Sequence, residues 1–172
     1  MSNAFRQLLV LGGARSGKSR YAQRQAEALS GRHVYLATAE ALDAEMEDRI
    51  ARHRDDRGPC WDTVEAPLDL AEAIATQSRP DSVVLVDCLT LWASNLMLAE
   101  RDVAAAISGL CAAMDSAPGK IILVSNEVGL GVVPDNALAR RFRDIAGEIN
   151  QAVAARVDCV MLVTAGLPIV LK

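Results

Sequence analysis

Along this chain apolar residues gather in short, nearly unbroken runs such as Leu8-Leu9-Val10-Leu11, Val83-Val84-Leu85-Val86 and Ile121-Ile122-Leu123-Val124. Runs of this length, rich in leucine and β-branched residues, mark strands buried on both faces of a parallel sheet. They predict strands over 7–11, 33–38, 82–87, 120–125 and 158–164, with a short last strand at 169–171. Helical patterns fill the intervals between most of them. Ala22, Ala26 and Leu29 fall at helical spacing, and Gly31 is placed to end that helix. Residues 41–57 carry an apolar stripe of Leu42, Met46 and Ile50, with Glu45/Arg49 and Asp48/Arg52 paired four apart. Residues 137–156 set Leu138, Phe142, Ile145, Ile149 and Val153 on one face behind the lead-in Pro134-Asp135-Asn136. Strand alternating with helix predicts an α/β fold, a mostly parallel sheet with helices on both faces. No repeat, low-complexity segment or linker divides the 172 residues, a length that suits a single domain over 1–172.

The segment joining the first strand to the first helix is the most informative in the chain. Gly12-Gly13-Ala14-Arg15-Ser16-Gly17-Lys18-Ser19 is a complete G-x-x-x-x-G-K-[ST] phosphate loop. Glycines let backbone N–H groups close around phosphates, Lys18 brings a point charge to the β/γ oxygens, and the Ser19 hydroxyl can ligate Mg²⁺. The helix that follows turns the positive end of its dipole toward the anion. A chance match would require the loop and both flanking elements to agree by accident. The loop therefore predicts a chain that handles a nucleoside triphosphate.

Composition narrows the class. A net charge of −4 without a basic stripe argues against a general nucleic-acid binder. Cys60, Cys88, Cys111 and Cys159 are scattered, with no C-x-x-C pair and no His/Cys cluster at metal-ligand spacing, which reads as reduced structural thiols. No apolar run approaches the ~20 residues of a membrane span, and no leader pattern opens the chain, so the expected location is the cytoplasm.

Three further places carry candidate chemistry. Val83-Val84-Leu85-Val86-Asp87 is a hydrophobic strand ending in a carboxylate, the form of a Walker-B element that holds Mg²⁺; an acid after a buried strand also serves as a helix cap. The strand over 120–125 delivers Asn126 and Glu127 to the carboxyl edge of the sheet, where open α/β sheets bind ligands. A polar turn built around Gly129 and Gly131 explains those residues equally well. His53 stands among Arg52, Arg54 and Arg57, whose charges favour a neutral, nucleophilic imidazole and can grip phosphates bidentately. A solvated histidine on a helix is the plainer reading.

Taken together and in order, these residues resemble a known family. Gly12 to Ser19, Asp43-Ala44-Glu45-Met46 leading to Arg49-Ile50 and His53-Arg54, Val86-Asp87-Cys88-Leu89-Thr90-Leu91-Trp92 with Ser94-Asn95, and Ser125-Asn126-Glu127-Val128-Gly129 with Val133-Pro134 come first. Arg141-Phe142-Arg143-Asp144, Gly147, Asn150-Gln151, Gly166-Leu167-Pro168 and Leu171-Lys172 complete the set. Across essentially its whole length the chain resembles the bifunctional adenosylcobinamide kinase/adenosylcobinamide-phosphate guanylyltransferases of cobalamin biosynthesis. The resemblance implies a RecA-like P-loop NTPase fold and two reactions on a corrinoid. Adenosylcobinamide is phosphorylated with ATP or GTP; GMP is then transferred from GTP through a guanylyl-histidine, releasing pyrophosphate.

Carried over by position, the resemblance makes His53 the nucleophile and Lys18 the catalytic cation of the loop. Gly12, Gly13, Ala14, Arg15, Ser16, Gly17, Lys18 and Ser19 become the triphosphate cradle. Ala37, Thr38, Ala39, Arg54, Asp55, Asp56, Arg57, Glu65 and Asp87 are the remaining nucleotide-binding positions, with Ser19 and Asp87 toward Mg²⁺. It further implies a homotrimer with active sites near subunit boundaries. The chain departs from some members in a short segment between Leu98 and Val103, and in Arg52 where some relatives carry a second histidine. Two other readings compete. One is a monofunctional small-molecule kinase in which His53 is only a surface residue. The other is a nucleotide switch, against which stand Cys88-Leu89-Thr90 after Asp87 in place of Asp-x-x-Gly and the lack of an Asn-Lys-x-Asp motif.

Overall fold

The structure is a computed structural model that describes residues 5–39 and 60–172. The helix expected over 41–57 lies outside the described residues. β1 (Gln7–Gly12), β2 (Arg32–Ala37), β3 (Trp61–Glu65), β4 (Ser82–Asp87), β5 (Lys120–Asn126), β6 (Cys159–Thr164) and β7 (Leu167–Val170) form one sheet in the order β3-β2-β4-β5-β1-β6-β7. Every pairing is parallel except β6 with β7.

Alternation along the strands divides the core in two. Leu9, Leu11, Val34, Leu36, Val84, Val86, Ile121 and Leu123 face four helices: α2 (Leu70–Gln77), α3 (Leu89–Leu98), α4 (Val103–Ser116) and α5 (Ala137–Arg156). Leu8, Val10, Val83, Leu85, Ile122 and Val124 face α1 (Lys18–Glu27), which packs through Ala22 and Ala26. Burial on both faces is why the central strands read as continuous apolar runs. The expected α/β architecture, with helices on both faces, is what forms.

Some boundaries differ. α1 ends at Glu27, and Leu29 is buried beyond it. Gly31, at φ +125°, instead serves the start of β2, where a Cβ would meet the Asp81 carbonyl. β3 carried no sequence signal: an edge strand with Trp61 buried and Asp62, Thr63 and Glu65 exposed has only a fragment of an apolar run. The last strand runs over Leu167–Val170, earlier than 169–171. α5 matches its expected span, with the Asn136 side chain accepting from the Leu138 and Ala139 N–H groups at 2.8 and 3.3 Å.

The β6–β7 turn is held at positive φ by Ala165 (50°) and Gly166 (79°), and the Gly166 N–H donates to the Ser16 carbonyl at 2.8 Å. The hairpin thereby braces the phosphate loop. Left-handed backbone at an alanine costs about 1 kcal/mol, and asparagine tolerates it better. Ala165→Asn is expected to raise stability by roughly 0.5–1 kcal/mol, read as a higher urea midpoint at unchanged slope.

Candidate active site

The carboxyl ends of the parallel strands bring the candidate residues to one edge and one face. Register aligns Glu65 with Ala37, Ala37 with Asp87, Asp87 with Val124, and Asn126 with Gly12. Because side chains alternate, the face that holds Leu85 and Val124 also receives Asp87 and Asn126. The phosphate loop and the start of α1 stand over that same face.

The loop's backbone conforms to its role. Arg15 and Gly17 take positive φ of 55° and 95°, and Gly17 is the N-cap of α1 without a side-chain cap. The first N–H groups of α1 thus remain available to an anion at the positive end of the helix. Glycine is required at 12, since a Cβ there would meet Ser16 Oγ and the Val163 carbonyl, each at 2.5 Å. Lys18 Nζ donates to the Gly13 carbonyl at 3.3 Å, folded over its own loop.

Side chains from the four-helix face fix the strand ends. Thr38 Oγ1 donates to the Cys88 carbonyl and accepts from the Cys88 N–H, both at 2.7 Å, so the ends of β2 and β4 are locked together. Asn95 Nδ2 donates to the carbonyls of Thr38 and Pro67 at 2.8 and 2.9 Å, and Trp92 Nε1 to that of Leu68 at 2.8 Å. Thr90 Oγ1 accepts from the Asn126 N–H at 2.6 Å, and Asn150 Nδ2 donates to the Asn126 carbonyl at 3.1 Å. The Glu127 N–H donates to the Gly12 carbonyl at 3.1 Å, tying the end of β5 to the phosphate loop. Thr90, Asn95 and Asn150 had no assigned role in the sequence reading. Their signal was present as polar residues in otherwise apolar helical faces.

Burial pushes the Cys88 thiol up to about 11, with the neighbouring Asp87 carboxylate adding to the shift and the Lys18 charge opposing it. Folded Cys88 keeps a proton that the unfolded chain releases from near 9, so stability present below pH 9 is lost as pH rises toward 11. Urea unfolding at pH 8 and pH 10.5 is expected to show a larger loss for wild type than for Cys88→Ala.

The structure therefore unites Gly12 to Ser19, Ala37, Thr38, Ala39, Glu65 and Asp87 at one edge of the sheet. His53, Arg54, Asp55, Asp56 and Arg57 lie outside the described residues. The chain's other histidine, His33, directs Nε2 to the carbonyls of Ala26 and Leu29 at 2.9 and 3.1 Å and packs its ring 5.1 Å from that of Trp61. It closes the end of α1 near the amino end of β2, opposite the strand ends that carry Ala37 and Asp87. All four cysteines are free thiols, and no group of three metal-ligating acids, histidines or cysteines occurs among the described residues. No helix among them is long and apolar enough to cross a membrane.

The family model for cobinamide kinase / cobinamide phosphate guanyltransferase matches residues 8–171. The chain belongs to this family. It is 50% identical to the bifunctional adenosylcobalamin biosynthesis protein CobP of Pseudomonas aeruginosa, over 95% of this chain and 96% of that one. To the bifunctional adenosylcobalamin biosynthesis protein CobU of Salmonella typhimurium it is 43% identical, over 96% and 99%. Among solved structures, an ATPase from the type III secretion system of pathogenic bacteria superposes with a TM-score of 0.55 at 14% identity, over 91% of this chain and 50% of the other. That likeness shows the fold alone, a mostly parallel sheet flanked by helices.

Proposed function

We propose that this member of the cobinamide kinase / guanyltransferase family, read as one domain over residues 1–172, catalyses both reactions on a corrinoid. The family match over residues 8–171 carries the reading. In the first reaction the aminopropanol hydroxyl oxygen of adenosylcobinamide attacks the γ-phosphorus of ATP or GTP. The bond to the β-phosphate oxygen breaks, the diphosphate leaves, and the hydroxyl proton passes to solvent. The N–H groups at the start of α1 and the Lys18 ammonium offset charge on the moving phosphoryl group.

In the second reaction an imidazole nitrogen of His53 attacks the α-phosphorus of GTP and pyrophosphate leaves. The phosphate oxygen of the corrinoid then displaces histidine from the guanylyl group, giving adenosylcobinamide-GDP. His33 is engaged with backbone carbonyls, which supports His53 as the nucleophile. Arg54 and Arg57 would neutralise phosphate oxygens; Asp55 and Asp56 complete that nucleotide-binding segment. The Glu65 carboxylate, an acceptor only, suits hydroxyl or base N–H groups of the nucleoside, and Ala37, Thr38 and Ala39 line its approach.

One carboxylate, one hydroxyl and substrate phosphates form the donor set that Mg²⁺ prefers, so Asp87 and Ser19 are the residues that would hold it. Bound there, the ion would neutralise charge on the leaving phosphates. The reading places the enzyme in the cytoplasm as a homotrimer. Exposed apolar side chains at Leu130, Val132, Val133, Leu167 and Ile169 offer surface for such an assembly.

The test supplies adenosylcobinamide, ATP and α-labelled GTP with Mg²⁺. Phosphorylated corrinoid, then labelled adenosylcobinamide-GDP and pyrophosphate, is the expected outcome. Phosphorylated corrinoid without label transfer would leave a monofunctional kinase, and neither product would overturn the reading.

A further inference from the structure

Two buried polar atoms beside the phosphate loop have no hydrogen-bond partner among the described residues: Ser16 Oγ and Asn126 Oδ1. A third, Asn150 Oδ1, belongs to α5 on the opposite face of the sheet. Leaving a buried acceptor unpaired is costly, so such atoms point to a missing partner. Ser16 Oγ lies against Gly12 on the α1 face. Asn126 is the register partner of Gly12 on the next strand, and alternation sends its side chain to the same face. Both orphaned groups therefore flank Gly12 on the same face of the sheet.

The backbone at Asn126 is held with unusual completeness. Its N–H donates to Thr90 Oγ1, its carbonyl accepts from Asn150 Nδ2, and the next N–H donates to Gly12. Thr90 and Asn150 are buried, and Thr90 Oγ1 stands 3.3 Å from the buried Ser125 hydroxyl. The carboxamide oxygen has no hydrogen-bond partner among the described residues, although the backbone that carries it is fixed. β5 lies between β1, which carries the loop, and β4, which carries Asp87. Loop amides cradle the α- and β-phosphates, and a metal ion held by Asp87 as proposed would bridge the β- and γ-oxygens, so the strand end between loop and carboxylate lies beside the terminal phosphate.

We infer that Asn126 is a catalytic residue of the phosphoryl-transfer step, contacting the terminal phosphoryl group and the alcohol that attacks it. Nδ2 donates to a terminal phosphate oxygen, and Oδ1 accepts from the attacking hydroxyl, aligning it with the phosphorus. The alcohol oxygen–phosphorus bond forms as the bond to the leaving diphosphate breaks. The carboxamide neither gains nor loses a proton, and the hydroxyl proton ends in solvent. The rate arm of this inference rests on the kinase reading; the binding arm does not.

Asn126→Ala tests both arms. Calorimetry compares a β,γ-imido analogue of ATP with ADP, and corrinoid phosphorylation is followed in parallel. Loss of one hydrogen bond to a charged group should reduce the preference for triphosphate over diphosphate about tenfold, and kcat by tenfold or more. An equal weakening of both nucleotides, or an unchanged preference in a variant of native melting temperature, would overturn the inference. Should Asn126→Ala not fold, Asn126→Asp retains the shape and places a carboxylate against the terminal phosphate. Its triphosphate affinity must then fall more than its diphosphate affinity, and parity would be equally decisive. If the wild-type chain forms no phosphorylated corrinoid, the functional reading fails while the binding arm still decides the place of Asn126.

Discussion

Replacing Lys18 with alanine is expected to lower corrinoid phosphorylation by two to three orders of magnitude, about the loss produced by removing one preorganised donor from charge developing in a transition state. In the structure Lys18 Nζ makes a single hydrogen bond among the described residues, a 3.3 Å contact to the carbonyl of Gly13 in its own loop. Its removal should hardly disturb the fold. The loss should thus appear in turnover and triphosphate affinity, with the far-ultraviolet spectrum and melting temperature close to wild type. A parallel loss of guanylyl transfer would show that one phosphate loop serves both reactions, and an unchanged transfer that a second triphosphate site does. Kinase turnover equal to wild type would contradict the role given to Lys18.

Replacing His53 with alanine should divide the two activities. The covalent route needs a nitrogen nucleophile at the α-phosphorus, and His33 cannot substitute while its Nε2 is engaged with Ala26 and Leu29. Guanylyl transfer should fall on the order of a thousandfold or more, as when a nucleophile is deleted. Phosphorylation of adenosylcobinamide, proposed as direct attack of the hydroxyl on the γ-phosphorus, should continue. With α-labelled GTP the wild-type protein should carry an acid-labile, base-stable label that survives denaturation and is missing from the variant. A label of equal intensity in His53→Ala would remove His53 from the mechanism.

Legibility in the sequence followed burial. Strands covered on both faces, such as β1, β4 and β5, are continuous apolar runs and stand out by composition. The edge strand β3 buries little besides Trp61 and so left no pattern, although Glu65 at its end belongs to the candidate site. α1 was placed by its loop and by Ala22 and Ala26, but Gly31 misled at its far end. That glycine answers a close approach to Asp81 in the turn before β4, a contact between segments fifty residues apart in sequence. The phosphate loop was readable because its chemistry is local: consecutive residues supply the amides, the ammonium and the hydroxyl.

Asn126 shows the converse. In the sequence a polar turn and a ligand-facing asparagine were equal readings, because a carboxamide's partners cannot be inferred from its neighbours in the chain. The fold places its backbone between Thr90 and Asn150, beside Gly12, and leaves its side chain unpartnered toward the loop. By itself, then, the sequence determined the α/β class, the triphosphate loop and the family, since each resides in consecutive residues or in an ordered set of motifs. Only the tertiary structure decided which strand ends share one face with the loop, and which helices lock them there. Strand order, register and side-chain alternation are products of long-range pairing, and they alone bring Glu65, Asp87 and Asn126 to the edge where Gly12 begins the phosphate loop.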